Sequence, residues 1–473
     1  MTAAFWRTTS IFLAFSVLGA SRNNHYDLVI THASLYDVHS KKATSNKTIT
    51  VRKGRVESIL NDGEFGDLSA NQTIDAKGRL VTPGFFDIHA HVAEIIDDSI
   101  SNGGGKIQNL SMRPDSIARY RERFATSYLP FGITTVRDVG APEAYMPMLL
   151  AWMKSSPAAP DFYPVGASIV SHEESRIPFA EHVEVKDSAD SAAKVAQYYR
   201  LGIRHIKLYW RLRPKEYEAA FRKAKNLGMN VCTHVDFKVN TINRALDIGV
   251  REFEHMHTLG VESLDQSQID SLYHHFLQRF DGKTKAGFLM WAMDMFLGIG
   301  KDNARMDSII ERFRVTHSSL TTTIHMFAHL FGLTYYKPKP WGDWDDPSQL
   351  TEEDIRKGRA GFEVLGSYVK KMFDEGVQLN LGSDVQDLGK ACLSEMLLLN
   401  GLGIPMNEVI NIATVNSARA AGLDGEGGAI DPGKKANLLI FENSPLEDPK
   451  NLLSGKTVIK DGIVWNPGRE NSR

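Results

Sequence analysis

The stretch FFDIHAHV, residues 85–92, decides the fold of this chain. It is a short apolar run that ends in histidines, which is typical of a buried strand with polar groups at its end. Seven similar runs follow, and amphipathic helical stretches separate them: 132–139 (GITTVRDV), 161–170 (DFYPVGASIV), 203–210 (IRHIKLYW), 229–236 (MNVCTHVD), 250–257 (VREFEHMH), 320–327 (LTTTIHMF) and 377–385 (VQLNLGSDV). Eight such units predict an α/β fold, a (β/α)8 TIM barrel over residues 83–426. The runner-up is an open doubly wound sheet, but the sequence has no glycine-rich phosphate loop to support it.

The two ends of the chain have a sequence pattern that differs from that of the centre. Residues 26–82 and 427–467 both consist of short alternating strands joined by Gly, Asn, Asp and Pro turns. We therefore expect one small β-sandwich domain formed from both chain ends.

Residues 1–20 have the layout of a secretory signal peptide. Arg7 gives a basic start, residues 11–18 are an apolar run, and Gly19, Ala20 and Ser21 are small. The run is too short to cross a bilayer as a helix. The sequence thus predicts an exported protein, periplasmic or secreted, with no membrane attachment after cleavage of the signal.

Composition narrows the classes of partner. The 55 Lys+Arg residues nearly balance the 57 Asp+Glu residues, and no basic block occurs, so a nucleic-acid partner is not expected. The two cysteines, Cys232 and Cys392, exclude a disulfide scaffold. A small-molecule substrate fits this balance best, and a homo-oligomer is compatible with it.

Two stretches are longer than ordinary connections between strands and helices. Residues 258–318 contain the apolar FLMWAMDMFLGIG, and residues 331–351 contain TYYKPKPWGDWDDP. Loops after barrel strands shape substrate pockets. Both stretches could equally cover the barrel, with a dimer contact for the apolar one, and the Trp341/Trp344 loop is equally compatible with a lid.

Metal-binding residue types collect at the ends of the predicted strands. His89 and His91 are two residues apart in a strand, so their imidazoles share one face. Four more candidates end later strands: Lys207, His234, His255 and Asp384. The active sites of barrels are built at these carboxyl ends, and imidazole suits a metal such as zinc. His257 shares a strand face with His255 by the same rule, so the spacing alone does not separate the two.

With these motifs the chain resembles the metal-dependent amidohydrolase superfamily, over nearly all residues after the signal. GFFDIHAHV, FGITTVRDVG, the lysine of the fourth strand, the two later histidines and the GSD carry the likeness, and it is greatest to the imidazolonepropionase/prolidase-like branch. Two departures stand out. Tyr209-Trp210-Arg211 replaces a small, glycine-containing segment, and Asn437 stands where Asp is common, which we expect to affect a turn.

The resemblance implies a role for each ligand. His89 and His91 would hold the more buried of two divalent ions, His234 and His255 the second, and Lys207 would bridge both as a CO₂-derived carbamate. Asp384 would contact the first ion and act as general base and then acid, with a bridging hydroxide as nucleophile. The expected metal is zinc, and the expected reaction is cleavage of an amide or dipeptide-like C–N bond. The likeness also favours His255 over His257 as the ligand.

Three residues are candidate substrate contacts: His172, Tyr209 and His257. Each has an ordinary structural alternative, such as a loop histidine or a packed aromatic ring. Arg137 and Asp138 are expected to form an internal ion pair. Two other functions stay open, a mononuclear deaminase or lactonase on the same fold and a non-catalytic binding protein.

Overall fold

The computed structural model describes residues 25–64, 69–93, 112–174, 181–235, 239–279, 286–338, 340, 346–385 and 387–466. The predicted signal peptide and the Trp341/Trp344 loop lie outside these ranges.

Strands from both ends of the chain form one sheet. Its members are β1 (His25–Asp37), β2 (Lys42–Arg52), β3 (Arg55–Asn61), β4 (Ser69–Asp75), β5 (Leu80–Pro83), β16 (Leu438–Phe441), β17 (Lys456–Lys460) and β18 (Ile463–Val464). The order is β18-β17-β16-β5-β1-β2-β3, and β4 pairs with β1. The antiparallel pairing of β16 with β5 joins the two chain ends. Alternating apolar residues such as Leu28, Ile30, Leu438 and Ile440 give this region its own core.

The centre of the chain forms parallel sheets. Their strands are β6 (Phe85–Ala90), β7 (Ile133–Asp138), β8 (Asp161–Pro164), β9 (Ser168–Ser171), β10 (His182–Val185), β11 (His205–Leu208), β12 (Asn230–Thr233), β13 (Glu252–Glu254), β14 (Ser319–Thr321) and β15 (Gln378–Asn380). The pairing orders are β6-β7-β8 and β10-β9-β11-β12-β13-β14-β15. Each of the eight predicted segments overlaps at least one of these strands, so the predicted α/β class is confirmed.

Helices cover these sheets, which is why the strands are buried on both faces. They are α1 (Pro114–Tyr128), α2 (Met146–Trp152), α3 (Ser188–Arg200), α4 (Pro214–Asn226), α5 (Ile242–Ile248), α6 (Met256–Glu262), α7 (Gln266–Arg279), α8 (Gly287–Ile299), α9 (Ala304–Val315), α10 (His325–Ala328), α11 (Glu352–Asp374), α12 (Leu388–Gly401), α13 (Met406–Asn411) and α14 (Ser417–Ala420). Among the described residues, none of these helices combines the length and the hydrophobicity that crossing a bilayer requires.

The apolar insert is an internal packing helix. α8 buries Met290, Met293 and Phe296 completely and packs along α11. A Cβ at Gly361 of α11 would overlap the carbonyl oxygen of Met293, so only glycine allows this close approach. The start of α8 lies near the carboxyl ends of the central strands. The centroid of the Phe288 ring is 5.5 Å from that of the His257 ring.

Candidate metal centre

The two histidines of the first central strand converge on one carboxylate. His89 is the next-to-last residue of β6 and is fully buried, and His91 directly follows the end of that strand. The Nε2 atoms of His89 and His91 lie 3.3 Å and 3.4 Å from Asp384 Oδ1. Ligand atoms of these three residues all lie within 4.8 Å of one another, a spacing that suits a shared metal ion.

Asp384 is held in place by its backbone. It follows β15 with a φ of 50°, in the left-handed region that non-glycine residues rarely adopt. Its N–H donates to the carbonyl of His89 at 2.9 Å, which fixes the carboxylate over β6. Burial raises the pKa of this carboxyl, but its interactions with His89 and its hydrogen bond with His91 outweigh burial and hold the pKa well below its ordinary value. The group is therefore a carboxylate, ready to bind a cation or accept a proton.

The other two predicted histidines lie beside this trio. The ring centroids of His234 and His255 are 4.6 Å apart, and those of His255 and His89 are 4.5 Å apart. His234 Nδ1 is buried and has no hydrogen-bond partner among the described residues. Burial lowers the pKa of both His234 and His255 well below the ordinary value, so both rings are neutral. Neutral imidazole is the form that binds metals.

Lys207 reaches the same point from β11. Its side chain is 1% exposed, and its Nζ lies 3.3 Å from His89 Nε2. The ordinary alternative for a lysine inside a barrel is an ion pair with an acid. Among the described residues, no carboxylate oxygen lies within 4.0 Å of its Nζ. Lys207 thus sits with the imidazoles and not with a counter-ion.

The three candidate substrate residues differ in position. The half-buried Tyr209 ring lies 5.1 Å from the ring of His234 between centroids, and burial raises the pKa of its phenol to about 12, so it is a neutral donor. His257 stacks on His255 at 5.2 Å between centroids, and burial lowers its pKa to about 4. His172 is 56% exposed, and its Nδ1 lies 2.5 Å from Glu184 of β10. Its described partner is thus an acid of the neighbouring strand and not a member of the metal-binding group.

The strand argument used for His257 was wrong. β13 ends at Glu254, His255 has a φ of 67°, and His257 lies in α6. Because the chain leaves extended geometry at His255, the alternation of strand faces does not apply there.

Sequence reasoning missed three residues that contact the ligand histidines. Glu254 Oε2 lies 2.6 Å from His89 Nδ1, Glu181 Oε2 lies 3.3 Å from His91 Nδ1, and Thr323 Oγ1 lies 3.0 Å from His255 Nδ1. Such partners fix which ring nitrogen carries the proton. Thr323 also has a φ of 46°, which is strained for a β-branched residue. The sequence offered one sign of these contacts, because Glu254 is an acidic residue within a predicted buried strand.

The expected Arg137–Asp138 ion pair is also wrong. Adjacent strand residues point to opposite faces, and Arg137 instead pairs with Glu252 and Glu254 while its Nη1 lies 3.0 Å from His205 Nε2. Asp138 accepts hydrogen bonds from the N–H groups of Val92 and Gly140. His205, Cys232 and Glu252 could geometrically hold a second cation. The Arg137 guanidinium already supplies the positive charge there.

The family follows from a comparison with known proteins. The model of the Amidohydrolase family matches residues 80–278 and 367–464, more than half of the chain. These ranges contain all six candidate ligands. The chain belongs to the amidohydrolase family. The resemblance seen in the sequence is confirmed, and the protein is a hydrolytic enzyme.

Solved structures share the fold of this amidohydrolase at low identity. A Xaa-Pro dipeptidase with bound methionine is 20% identical, with a TM-score of 0.64 and coverage of 93% of this chain and 99% of that one. Ochratoxinase of A. niger is 16% identical, with a TM-score of 0.66 and coverage of 94% and 98%. Molinate hydrolase is 15% identical, with a TM-score of 0.64 and coverage of 93% and 95%. Identities this low carry the fold alone.

A curated relative matches this amidohydrolase over a short stretch. Adenine deaminase of Clostridium botulinum is 32% identical over 66 residues, which are 14% of this chain and 11% of that protein. The match therefore spans only a small part of that enzyme's length.

Divalent metals fit the residues that this amidohydrolase brings together. The donors are imidazoles and a carboxylate, which borderline metals prefer. The buried Nδ1 of His234, which lacks a protein partner in the described part of the chain, is the nitrogen that a cation would satisfy.

Proposed function

We propose that this amidohydrolase cleaves a C–N bond, of an amide or dipeptide-like small molecule, at a centre of two divalent ions, with zinc as the expected metal. The observation that carries the proposal is the convergence of the His89, His91 and Asp384 ligand atoms within 4.8 Å of one another. Lys207 joins them from β11, and the His255 ring packs against that of His89.

The proposal assigns the donors to two ions. His89, His91 and Asp384 would hold the first, and His234 and His255 would hold the second. Lys207 would serve both as a carbamate, because a free ammonium would repel the cations while a carbamate supplies anionic oxygens. The lack of an acidic partner within 4.0 Å of Nζ in the described residues supports this role. When bound, the ions polarise the scissile carbonyl and lower the pKa of the attacking water.

Protein side chains perform the remaining steps. Asp384, which is ionised beside His89 and His255, accepts a proton from the attacking water at its carboxylate and returns it to the leaving nitrogen. The neutral Tyr209 phenol, next to His234, donates a hydrogen bond to the substrate carbonyl or carboxylate. The burial of His89, Lys207 and His255 limits water around these groups, which strengthens every charge interaction.

The finer architecture belongs to the same proposal. We infer that the central strands close into a (β/α)8 barrel and that the two chain ends form a β-sandwich domain over 26–82 and 427–467. The Ile88 N–H donates to the carbonyl of Leu381 at 3.0 Å, which connects the first central strand to the end of the last. β8 is the last strand of the three-stranded sheet, β9 belongs to the seven-stranded sheet, and only three residues separate them in the chain. We therefore infer that β8 and β9 together occupy the position of one barrel strand and join the two sheets.

A second candidate is a one-metal deaminase on the same fold, and a lactonase is a related alternative. The 66-residue similarity to adenine deaminase favours it over the non-catalytic binding protein. The two leading candidates differ at Lys207, which a one-metal site would not need as a ligand.

Metal analysis and a substrate panel test the proposal together. Protein purified without chelator should carry about two divalent ions per chain. It should hydrolyse at least one of a panel of N-acyl amino acids, Xaa-Pro and other dipeptides, lactams and lactones, with adenine included for the deaminase. The Asp384→Asn variant is the matched control for contaminating activity. One ion per chain together with adenine turnover would replace the proposal with the deaminase.

We propose further that the protein is exported, on the basis of the basic and apolar residues at its start. Expression of the full chain with fractionation tests this, because export should yield a mature protein that begins close to residue 21. Mass spectrometry of an uncleaved cytoplasmic chain would reject it.

A further inference from the structure

Glu254 is a fully buried carboxylate for which the proposed chemistry has no use. It ends β13, and both of its oxygens are engaged. Oε2 lies 2.6 Å from His89 Nδ1, and Oε1 accepts from Arg137 Nη2 at 3.0 Å. The guanidinium of Arg137 is always charged, so the carboxyl that it binds in the protein interior is expected to be an anion.

Arg137 is the anchor of this carboxylate. It is buried in β7, and its Nε donates to the carbonyl of Ile88 at 2.8 Å, on the strand that carries His89. A second carboxylate, Glu252, binds the opposite part of the same guanidinium. Because the guanidinium is planar and held on several sides, Glu254 has little freedom to rotate away from His89.

The backbone of His255 allows two consecutive residues to face the same ring. Alternation along a strand would send Glu254 and His255 to opposite faces. The φ of 67° at His255 ends the extended geometry at that point. As a result Glu254 contacts His89 through a hydrogen bond, and the His255 ring lies 4.5 Å from the same imidazole between centroids.

We propose that Glu254, held by Arg137, is a positioning residue for the metal centre. It accepts the Nδ1–H of His89, so that the Nε2 lone pair is directed at the point shared with Lys207 and Asp384. The inference rests on the proposed function, because it assigns Glu254 a role toward the metal ions. Partners of this kind typically change metal affinity by about 10–100-fold.

The test compares two glutamates that share Arg137. Glu254→Gln removes the charge next to His89 and keeps the side-chain volume. Glu252→Gln makes the same change on the other side of the guanidinium, where the carboxylate contacts His205 and not His89. Zinc affinity of the metal-stripped full chain is measured by competition with a chelator, and thermal unfolding of the same metal-free samples is recorded.

We expect Glu254→Gln to lose roughly 10–100-fold in zinc affinity, whereas Glu252→Gln keeps the affinity of the wild type even where its melting temperature falls. Glu254→Asp keeps the charge but shortens the side chain, and it should lose less affinity than Glu254→Gln. If Glu254→Gln does not fold, a loss of affinity in Glu254→Asp relative to Glu252→Gln decides the same point.

Equal zinc affinity in the wild type and the Glu254 variants would overturn the role of Glu254 while leaving the metal centre intact. Equal losses in the two Gln variants would also overturn it, since the network would then only support the fold. A wild-type chain that binds no zinc would instead overturn the proposed metal centre.

Discussion

Charged side chains are buried at both ends of the central strands, but their hydrogen-bond and ion-pair partners differ between the two ends. At the carboxyl ends lie the imidazoles, Lys207 and Asp384. At the amino end of β8 lies Asp161, which is 4% exposed and accepts from Ser155 Oγ and Lys435 Nζ at 2.7 Å each, from Asn437 Nδ2 at 3.0 Å and from Lys460 Nζ at 3.2 Å. We call this set the Asp161 cluster.

The difference lies in what is left unsatisfied. The Asp161 cluster matches Asp161 with two lysines and neutral donors, and Lys460 also pairs with Asp461 at 2.7 Å. The cluster joins the central strands to the sheet from the chain ends. Asn437 also accepts from the N–H of Asp461 at 2.9 Å. An aspartate at 437 would add a third carboxylate beside Asp161 and Asp461, which already share Lys460, and this explains the asparagine. At the other end the described residues leave Lys207 without an acid and His234 Nδ1 without a partner. A cluster whose charged groups all have partners stabilises the fold, whereas a cluster that contains unpaired polar groups can bind a ligand.

The largest expected effect distinguishes the two buried aspartates by activity. Asp384→Asn removes the base from the proposed reaction, and turnover on any panel substrate should fall by about 10²–10⁴-fold with the fold retained. Asp161→Asn is the matched control, and its folded fraction should keep the turnover of the wild type. Near wild-type turnover in Asp384→Asn would remove it from its assigned role.

The two buried lysines should separate in the same way. Lys207→Ala should lose bound metal and activity because the bridging carbamate cannot form. Lys460→Ala removes an equally buried lysine from the Asp161 cluster, so it should lower the melting temperature and leave the metal content unchanged. Metal analysis of both variants is the measurement. Full metal content and activity in Lys207→Ala would contradict the two-metal proposal.

The next effect concerns stability alone. Asp161→Asn removes the anion shared by Lys435 and Lys460, and Lys460 keeps Asp461 at 2.7 Å as a second partner. Breaking a buried ion pair from one side typically costs about 3–5 kcal/mol, and we expect the lower end of that range here. The measurement is denaturant unfolding of the metal-free protein. Asp115→Asn serves as the control, since the Asp115 side chain is 61% exposed and its ion pair with Arg119 lies on the surface, where such pairs contribute little. A loss in Asp161→Asn no larger than that in Asp115→Asn would contradict the comparison.

The sequence predicts the residues at the carboxyl ends of the central strands better than those at the amino ends, for physical reasons. Strand-end positions of His89, His91, Lys207, His234, His255 and Asp384 follow from the period of the apolar runs, and the structure places these residues together. Partners that depend on tertiary packing do not follow from any period. Arg137 was expected to pair with its neighbour Asp138, but its partner Glu254 is more than a hundred residues away along the chain. His257 was assigned by strand alternation, which fails where His255 turns to positive φ. The Asp161 cluster was not predicted, since its members come from three distant segments.

The smallest effect is a dependence of stability on acid that belongs to the Asp161 cluster. Burial raises the pKa of Asp161, but Lys460 and Lys435 outweigh burial and lower it from 3.8 to about 2. A carboxyl with a depressed pKa stabilises the folded state fully above its unfolded pKa, and this contribution is lost as pH falls through the folded value. The shift corresponds to roughly 2 kcal/mol. The difference in unfolding free energy between wild type and Asp161→Asn should therefore shrink by about that amount between pH 5 and pH 2, both measured without metal because acid also protonates the histidines. A difference that stays constant over this range would show that the two lysines do not hold Asp161 ionised. The Asp161 cluster could then no longer be described as a set of fully paired charges that stabilises the fold.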